Sequence, residues 1–331
     1  MEAPRAAPTP SRRAVRSNMD SPSIDILLAT YNGARYLRPQ IESILDQEDV
    51  SFRLLVRDDS SVDETPAVIE RYRRLRPDRI ILVSGSDHLG AAGNFACLLR
   101  EAKAPYAALS DQDDVWVPHK LRTLLGVMRD LESRHGTDTP LLVHSDLTVV
   151  DERLRERHSS FWRYSGFDPR CTTFPRLLIK NTVTGCASLV NRALIELALP
   201  MPQAALVHDY WLALVACAAG QLGIVEEPLV AYRQHPRNVI GAQPYHLKSF
   251  VERLAGGFAM WDMGALRRQA AALSERCHAS LAPEYRTLIE DFVNLPGRNW
   301  IGRRRILLRH GILMPGLMRN LALLFCVRLG R

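Results

Sequence analysis

Apolar and polar positions alternate in blocks along the first 135 residues, and the blocks predict secondary structure. Apolar, β-rich runs at 23–32 (SIDILLATYN), 51–61 (SFRLLVRDDSS), 78–85 (DRIILVSG) and 105–114 (PYAALSDQDD) predict four strands. Each is followed by a stretch of helical spacing: 34–47, 62–75, 90–102 and the run from Val117 to His135. In the first of these, Leu37, Ile41, Ile44 and Leu45 share one face. The second carries Asp63 and Glu64 in its expected first turn and arginines in its last, as the helix dipole favours. Four strand–helix alternations predict a parallel α/β sheet with right-handed crossovers. Ligands of such sheets bind at the carboxyl ends of the strands. Two acidic clusters, Asp58–Asp59 and Asp111–Asp114, fall at such ends and should face one crevice.

The regularity then stops. Residues 140–152 predict a further strand with Asp146 near its end, and 153–180 look irregular, with Phe161, Trp162, Tyr164 and Phe167 interspersed. Residues 181–198 read as strand then helix, 207–220 as a helix opening on His208 and Asp209, and 222–235 as two short strands. From Tyr245 onward the pattern is helical and increasingly arginine-rich. The expected organisation is a disordered extension over 1–22, an α/β catalytic domain over 23–243 and a helical region over 244–331.

Composition changes this picture little, and charge changes it more. With 47% hydrophobic and 24% charged residues the chain has ordinary soluble composition and ample material for a core. Its six cysteines show no CxxC or zinc spacing, which predicts buried thiols in a reducing compartment. The net charge of +7 is concentrated at the ends: residues 1–20 carry +2, and the stretch from Gly297 onward carries +8 from eight arginines and no acid. The intervening 276 residues sum to −3, which speaks against a nucleic-acid enzyme, whose positive charge would sit on the folded body. The N-terminal segment has no apolar core of a secretory signal, and no run of 18 apolar residues predicts a membrane span.

The informative stretch is SDQDDVW, residues 110–116. Like charges packed at the end of a buried strand repel and raise one another's pKa, unless a cation joins them. A solvated turn is the plain alternative, since Asp favours turns. Acids at this spacing suit Mg²⁺ or Mn²⁺, whose remaining ligands are commonly phosphate oxygens and water. A diphosphate is then the natural partner. The chain lacks the P-loop pattern GxxxxGK[ST] and lacks GxGxxG after its first strand, which excludes a standard nucleotide-triphosphatase and a dinucleotide fold.

Seven segments, ILLATYNGARYLRPQIESIL, LLVRDDSSVDET, GAAGNF, LSDQDDVWVPHKL, TGCASLVNRAL, HDYWLA and YRQHPRNVIGA, together resemble glycosyltransferase family 2, in particular the bacterial rhamnosyltransferase-type enzymes of surface polysaccharide synthesis. The resemblance covers residues 24–242 and implies a GT-A fold, a nucleotide-diphosphate sugar donor (dTDP-, UDP- or GDP-linked), Mg²⁺ or Mn²⁺, and inversion at the anomeric carbon. A saccharide or lipid-linked acceptor is expected, with dTDP-rhamnose as the preferred donor. Asp111 and Asp113 match the family's DxD motif, with Asp113 the expected direct metal ligand, Asp111 facing ribose or metal, and Asp114 an alternative. The base-reading acid is placed at Asp59, with Asp58 second, and Thr30 and Tyr31 match the loop around the base. Asp209 matches the catalytic base and His235 a histidine that completes the metal shell in some relatives. Asn94 and His88 resemble donor-side positions, Gly185 and Cys186 the acceptor-side wall, and Arg233 and Arg237 stand where they would meet diphosphate charge. Cys186, Trp116 and Trp211 are expected to pack rather than react. HPRN stands where HGNN-like spacing is common, a departure confined to the loop after His235.

The arginine-rich C-terminal stretch mixes charge with Trp, Ile, Leu, Met and Phe, so it reads either as a membrane-surface segment or as a helical subdomain packed on the catalytic domain. The first reading predicts a cytoplasmic protein held peripherally on the inner face of the membrane. Two rival functions predict different features. A metal-dependent nucleotidyltransferase needs a basic cluster near the first strand, where only Arg35 and Arg38 stand. A non-catalytic scaffold predicts loss of the key acids, all of which are present.

Overall fold

The computed structural model describes residues 23–85, 87–166, 168–236, 238, 262–314 and 317–326. The extension expected over 1–22, Arg237 and the domain boundary expected at 243/244 lie outside these residues.

Strands β1 (Ile24–Thr30), β2 (Phe52–Asp58), β3 (Ile80–Leu82) and β4 (Tyr106–Ser110) pair in parallel in the order β3-β2-β1-β4. They are nearly continuous apolar runs because helices cover both faces. Alternate residues of β1 serve two cores: Ile26 and Leu28 pack with α1 (Ala34–Leu45), α2 (Thr65–Leu75) and α4 (Lys120–His135), and Leu27 packs with α3 (Gly90–Glu101) on the other side. The one charge inside β1, Asp25, is fully buried and fully engaged. Arg53 binds it through two nitrogens at 2.8 and 2.9 Å, and the Lys103 and Ala104 amides donate to it at 2.6 and 2.8 Å.

The sheet becomes mixed where the alternation stops. β8 (Ser188–Asn191) joins β4 antiparallel and pairs antiparallel with β6 (Leu141–Val150); β9 (Gln221–Arg233) runs parallel to β6, and β5 (Val115–Trp116) closes the order. β7 (Glu156–His158) pairs off β6. The region expected to be irregular holds β7 and two short helices, α5 (Phe161–Ser165) and α6 (Phe174–Leu177).

Two local expectations are corrected. The segment 222–235 forms one long strand, because the break suggested by Glu226–Glu227–Pro228 is a bulge: the register jumps from Ser145 opposite Val225 to Asp146 opposite Pro228. Helix α2 starts at Thr65, so Asp63 and Glu64 precede it. The Asp63 carboxylate instead accepts from the Thr65 amide and hydroxyl at 3.0 and 2.5 Å.

Helices α7 (Arg192–Ala198) and α8 (His208–Ala219) cover the sheet on the α3 side. Against them pack α9 (Met263–Cys277), α10 (Pro283–Val293), α11 (Trp300–Arg309) and α12 (Leu317–Cys326). Met263, Leu273, Phe292, Leu307 and Leu323 share one continuous core with Trp211 and Leu214 of α8. No helix among the described residues is long and apolar enough to cross a membrane.

Two histidines are buried in this framework. Desolvation pulls His144 down to about 4 and His208 down to about 3, so both are neutral when folded. The unfolded chain takes up these protons near pH 6.5. Stability is therefore complete above pH 6.5 and is lost as pH falls toward the folded values. Urea unfolding should show a loss on the order of 1–2 kcal/mol per histidine between pH 7.5 and 5, and His144→Leu should flatten part of that dependence.

Candidate active site

The order β3-β2-β1-β4 places a topological switch between β1 and β4, where the crossovers diverge and a crevice opens at the strands' carboxyl ends. The loops after β1, β2 and β4 line it. Gln112 ties two of them together, accepting from the Tyr31 amide and donating to the Tyr31 carbonyl, both at 2.9 Å. A Cβ at Gly33 would lie 2.0 Å from the Gln112 Oε1, so a side chain there would break this tie. The sequence reading missed Gln112; its signal was its place between the DxD acids, opposite a glycine.

At the β2 end the two acids play different parts. Asp59 is 2% exposed. It accepts from Arg57 (2.9 Å), the Leu89 and Gly90 amides (2.9 and 2.8 Å) and lies 3.1 Å from His88 Nδ1. The three hydrogen bonds take up most of a carboxylate's roughly four acceptor positions, and His88 Nδ1 also lies 3.0 Å from the Asp59 carbonyl. Asp58 accepts from the Thr30 hydroxyl (2.8 Å) and from the Ser61 amide and hydroxyl (2.8 and 2.6 Å). It is half-buried, and its Oδ2 retains acceptor capacity. Asn94 is buried and bonds to Arg57 and to the Arg57 carbonyl, so it braces the β2 end from below. The exposed groups at the rim are Tyr31 and His88, whose rings lie 4.5 Å apart.

At the β4 end, burial first and then the charges of Asp114, Asp113 and Asp209 push the Asp111 carboxyl well above its usual range. Burial and Asp113 push Asp114 up to about 7. Asp114 Oδ1 accepts from the Arg233 amide at 3.1 Å, and the carboxyl is buried beside the Cys186 thiol. Asp113 Oδ2 lies 2.8 Å from His235 Nε2. Arg233, expected to meet diphosphate, is 4% exposed and donates to the Asp113 and Glu152 carbonyls at 2.6 and 2.7 Å. It pins the acidic turn instead.

Lys120 is fully buried beneath this turn. Its Nζ donates to the Cys186 carbonyl at 2.5 Å and sits 3.2 Å from the Trp116 ring centroid; burial pulls it down to about 7. Gly185, next to Cys186 in the turn Gly185–Ala187, donates its amide to Asp209 Oδ2 at 2.9 Å, while Asn181 donates to Oδ1 at 3.1 Å. Desolvation, opposed by these bonds, pushes Asp209 up to about 6. A Cβ at Gly185 would come 2.9 Å from His208 Nε2 and 3.2 Å from Asp209 Cβ, so glycine allows the close approach. Trp211 is core, its Nε1 bonded to the Ala198 carbonyl.

Two groups of ligand atoms could receive a divalent cation. Asp111, Asp114 and Cys186 lie within 4.8 Å of one another. Burial pushes the Cys186 thiol well up, so it is protonated and a poor ligand for a hard cation. Asp113 and His235 present their atoms 2.8 Å apart, close to the ~3 Å between adjacent vertices of an octahedron with ~2.1 Å bonds. The mutually repelling acids of this turn are the donor set a hard divalent cation takes, with Asp113 and His235 as a neighbouring pair of ligand atoms.

The mixed sheet flanked by helices, with its helical C-terminal region, is a GT-A fold. S. aureus TarS (residues 1–349, with UDP-GlcNAc bound) shares this fold at a TM-score of 0.53 and 14% identity, with 88% of this chain and 93% of that chain covered. The family model for glycosyl transferase family 2 matches residues 25–197, and the chain belongs to that family. It is similar to the dTDP-rhamnosyl transferase RfbG of Shigella flexneri, 24% identical over 264 residues, which span 75% of this chain and 85% of that one. It is also similar to the UDP-Glc:alpha-D-GlcNAc-diphosphoundecaprenol beta-1,3-glucosyltransferase WfaP of Escherichia coli, 33% identical over 105 residues, or 32% of this chain and 41% of that one.

Because the Arg57–Asp59 pair is desolvated on both sides, removing one partner strands a buried charge. Asp59→Ala should lower stability by about 3 kcal/mol or more in urea unfolding, whereas Asp58→Ala, half-buried, should cost less than half as much.

Proposed function

We propose that the chain is an inverting glycosyltransferase that moves a sugar from a nucleotide-diphosphate donor to a saccharide or lipid-linked acceptor in cell-surface polysaccharide synthesis. The observation that carries it is the placement of Asp209. It lies close enough to raise Asp111 by charge, yet it is held by Gly185 and Asn181 on a different element. A base beside the donor acids but outside their cluster is what glycosyl transfer to a hydroxyl requires.

In this reading the nucleobase lies against Tyr31 and His88, and Asp58 accepts its N–H. Asp59 positions the 88–90 loop. This reverses the order expected from sequence, because the Asp59 acceptor positions are mostly spent inside the protein. Asp113 and His235, with Asp111, hold Mg²⁺ or Mn²⁺, which when bound neutralises diphosphate charge as the bond to the sugar breaks. Asp209 takes the proton of the acceptor hydroxyl. The oxygen attacks the anomeric carbon opposite the diphosphate through an oxocarbenium-like transition state, and the nucleoside diphosphate leaves. Similarity to RfbG makes dTDP-rhamnose the first donor to test. A peripheral position on the inner membrane face, through the C-terminal helices, belongs to the same reading.

Neither rival gains support from the geometry. Arg35 and Arg38 pair with Glu152 and Glu42 at 2.8 and 2.9 Å, so no basic cluster awaits a triphosphate. A scaffold would have no use for a carboxylate held as Asp209 is.

Calorimetric titration of dTDP, UDP and GDP, each with and without Mn²⁺, tests the donor site. One nucleotide should bind in a metal-dependent way, and Asp113→Ala should abolish the metal effect; equal, metal-independent binding of all three would overturn this assignment. Asp209→Asn should leave nucleotide binding intact and lower kcat by about 10² to 10⁴-fold. The rate should rise with pH through about 6 as Asp209 loses its proton.

A further inference from the structure

Helix α11 has two apolar faces, one buried and one exposed. Ile306 and Leu307 enter the core shared with α8. Asn299 caps the helix, its Oδ1 accepting from the Gly302 amide at 2.8 Å. Arg303 anchors the first turn, donating to the Arg298 and Pro296 carbonyls at 2.8 and 2.9 Å. Held this way, the helix turns Trp300, Ile301 and Leu308 outward at 58, 63 and 56% exposure. Positions 300, 304 and 308 form one row along the helix and 301, 305 and 309 the next. Together the rows line a shallow depression of Trp300, Ile301 and Leu308 interleaved with Arg304, Arg305 and Arg309. The Arg304 guanidinium lies 3.5 Å from the Trp300 ring centroid. No acid stands on this helix.

We propose that this face of α11 docks on an anionic lipid bilayer. The proposal deepens the peripheral-membrane part of the function above by naming the docking surface and the lipid class. An aromatic and two aliphatic side chains grouped on one exposed face and interleaved with arginines suit the headgroup–acyl boundary. The arginines at the same level reach lipid phosphates while their stems stay with the apolar groups. Charge favours a bilayer of negative sign over a neutral one: the stretch from Gly297 carries +8 and the 276 residues before it −3. An anionic surface therefore attracts this end of the molecule and repels the rest, which orients it as well as holding it.

Sedimentation of the full chain with vesicles tests this without any transfer assay, so its failure is distinct from failure of the glycosyltransferase reading. The chain should partition onto phosphatidylglycerol–phosphatidylcholine vesicles at least tenfold more strongly than onto phosphatidylcholine alone. The triple variant Trp300→Ser, Ile301→Ser, Leu308→Ser should lose at least tenfold in that binding while nucleotide binding and thermal unfolding stay as in the parent. Arg304→Gln with Arg305→Gln and Arg309→Gln should remove the preference for anionic lipid. Failure of the parent to bind anionic vesicles overturns the proposal, as does equal binding by the triple variant. Light scattering that finds a dimer in the parent and a monomer in the triple variant, with no vesicle binding, would assign the face to a second copy and equally overturn it.

Discussion

Carboxylates crowded into a water-poor crevice repel one another, and most of this site is arranged around that repulsion. Asp111, Asp113 and Asp114 follow a single strand and face Asp209 across the crevice, so burial and like charge together drive Asp111 and Asp114 far above ordinary carboxylates. Lys120 sits fully buried beneath them, Arg233 clamps the turn through its backbone, and His235 meets Asp113. The protein supplies buried positive charge and fixed dipoles for part of the burden. Asp111 and Asp114 nevertheless stay raised, so that compensation is incomplete. Buried acids in such a state are costly to folding, and groups perturbed in this way cluster at functional sites.

The neighbouring β2 end is built on the opposite principle. Arg57 and Asp59 neutralise each other within the protein, and Asp59 in turn holds the Leu89 and Gly90 amides. A Cβ at Gly85 would lie 2.7 Å from the Arg57 guanidinium, so this loop lies directly over the pair. The result is a rigid floor that presents Tyr31, His88 and one free position of Asp58 outward. Adjacent aspartates in one sequence motif thus divide into a structural member and a presented one.

The C-terminal helices join the two ends of the molecule mechanically. They pack on α8, the helix that begins with the proposed base, and bury Phe292, Leu295 and Leu307 in the same core as Trp211.

The chain's sequence determined the first half of the fold, since a strand buried on both faces needs an apolar run and a covering helix needs a stripe. Those patterns are local, so β1 to β4, α1 and α3 were legible, and so was the family, by resemblance. The long β9 was not, because Glu226–Glu227–Pro228 reads as a strand end and only pairing with β6 makes it a bulge. Nor were the separate parts of Asp58 and Asp59, the pinning of the acidic turn by Arg233, or the tie made by Gln112. Each depends on which amide, carbonyl or guanidinium arrives from 30 to 120 residues away. Residue type and spacing set what a side chain is able to do. Tertiary structure decided what it does, because hydrogen-bond capacity and burial are properties of neighbours in space, which the linear order does not contain.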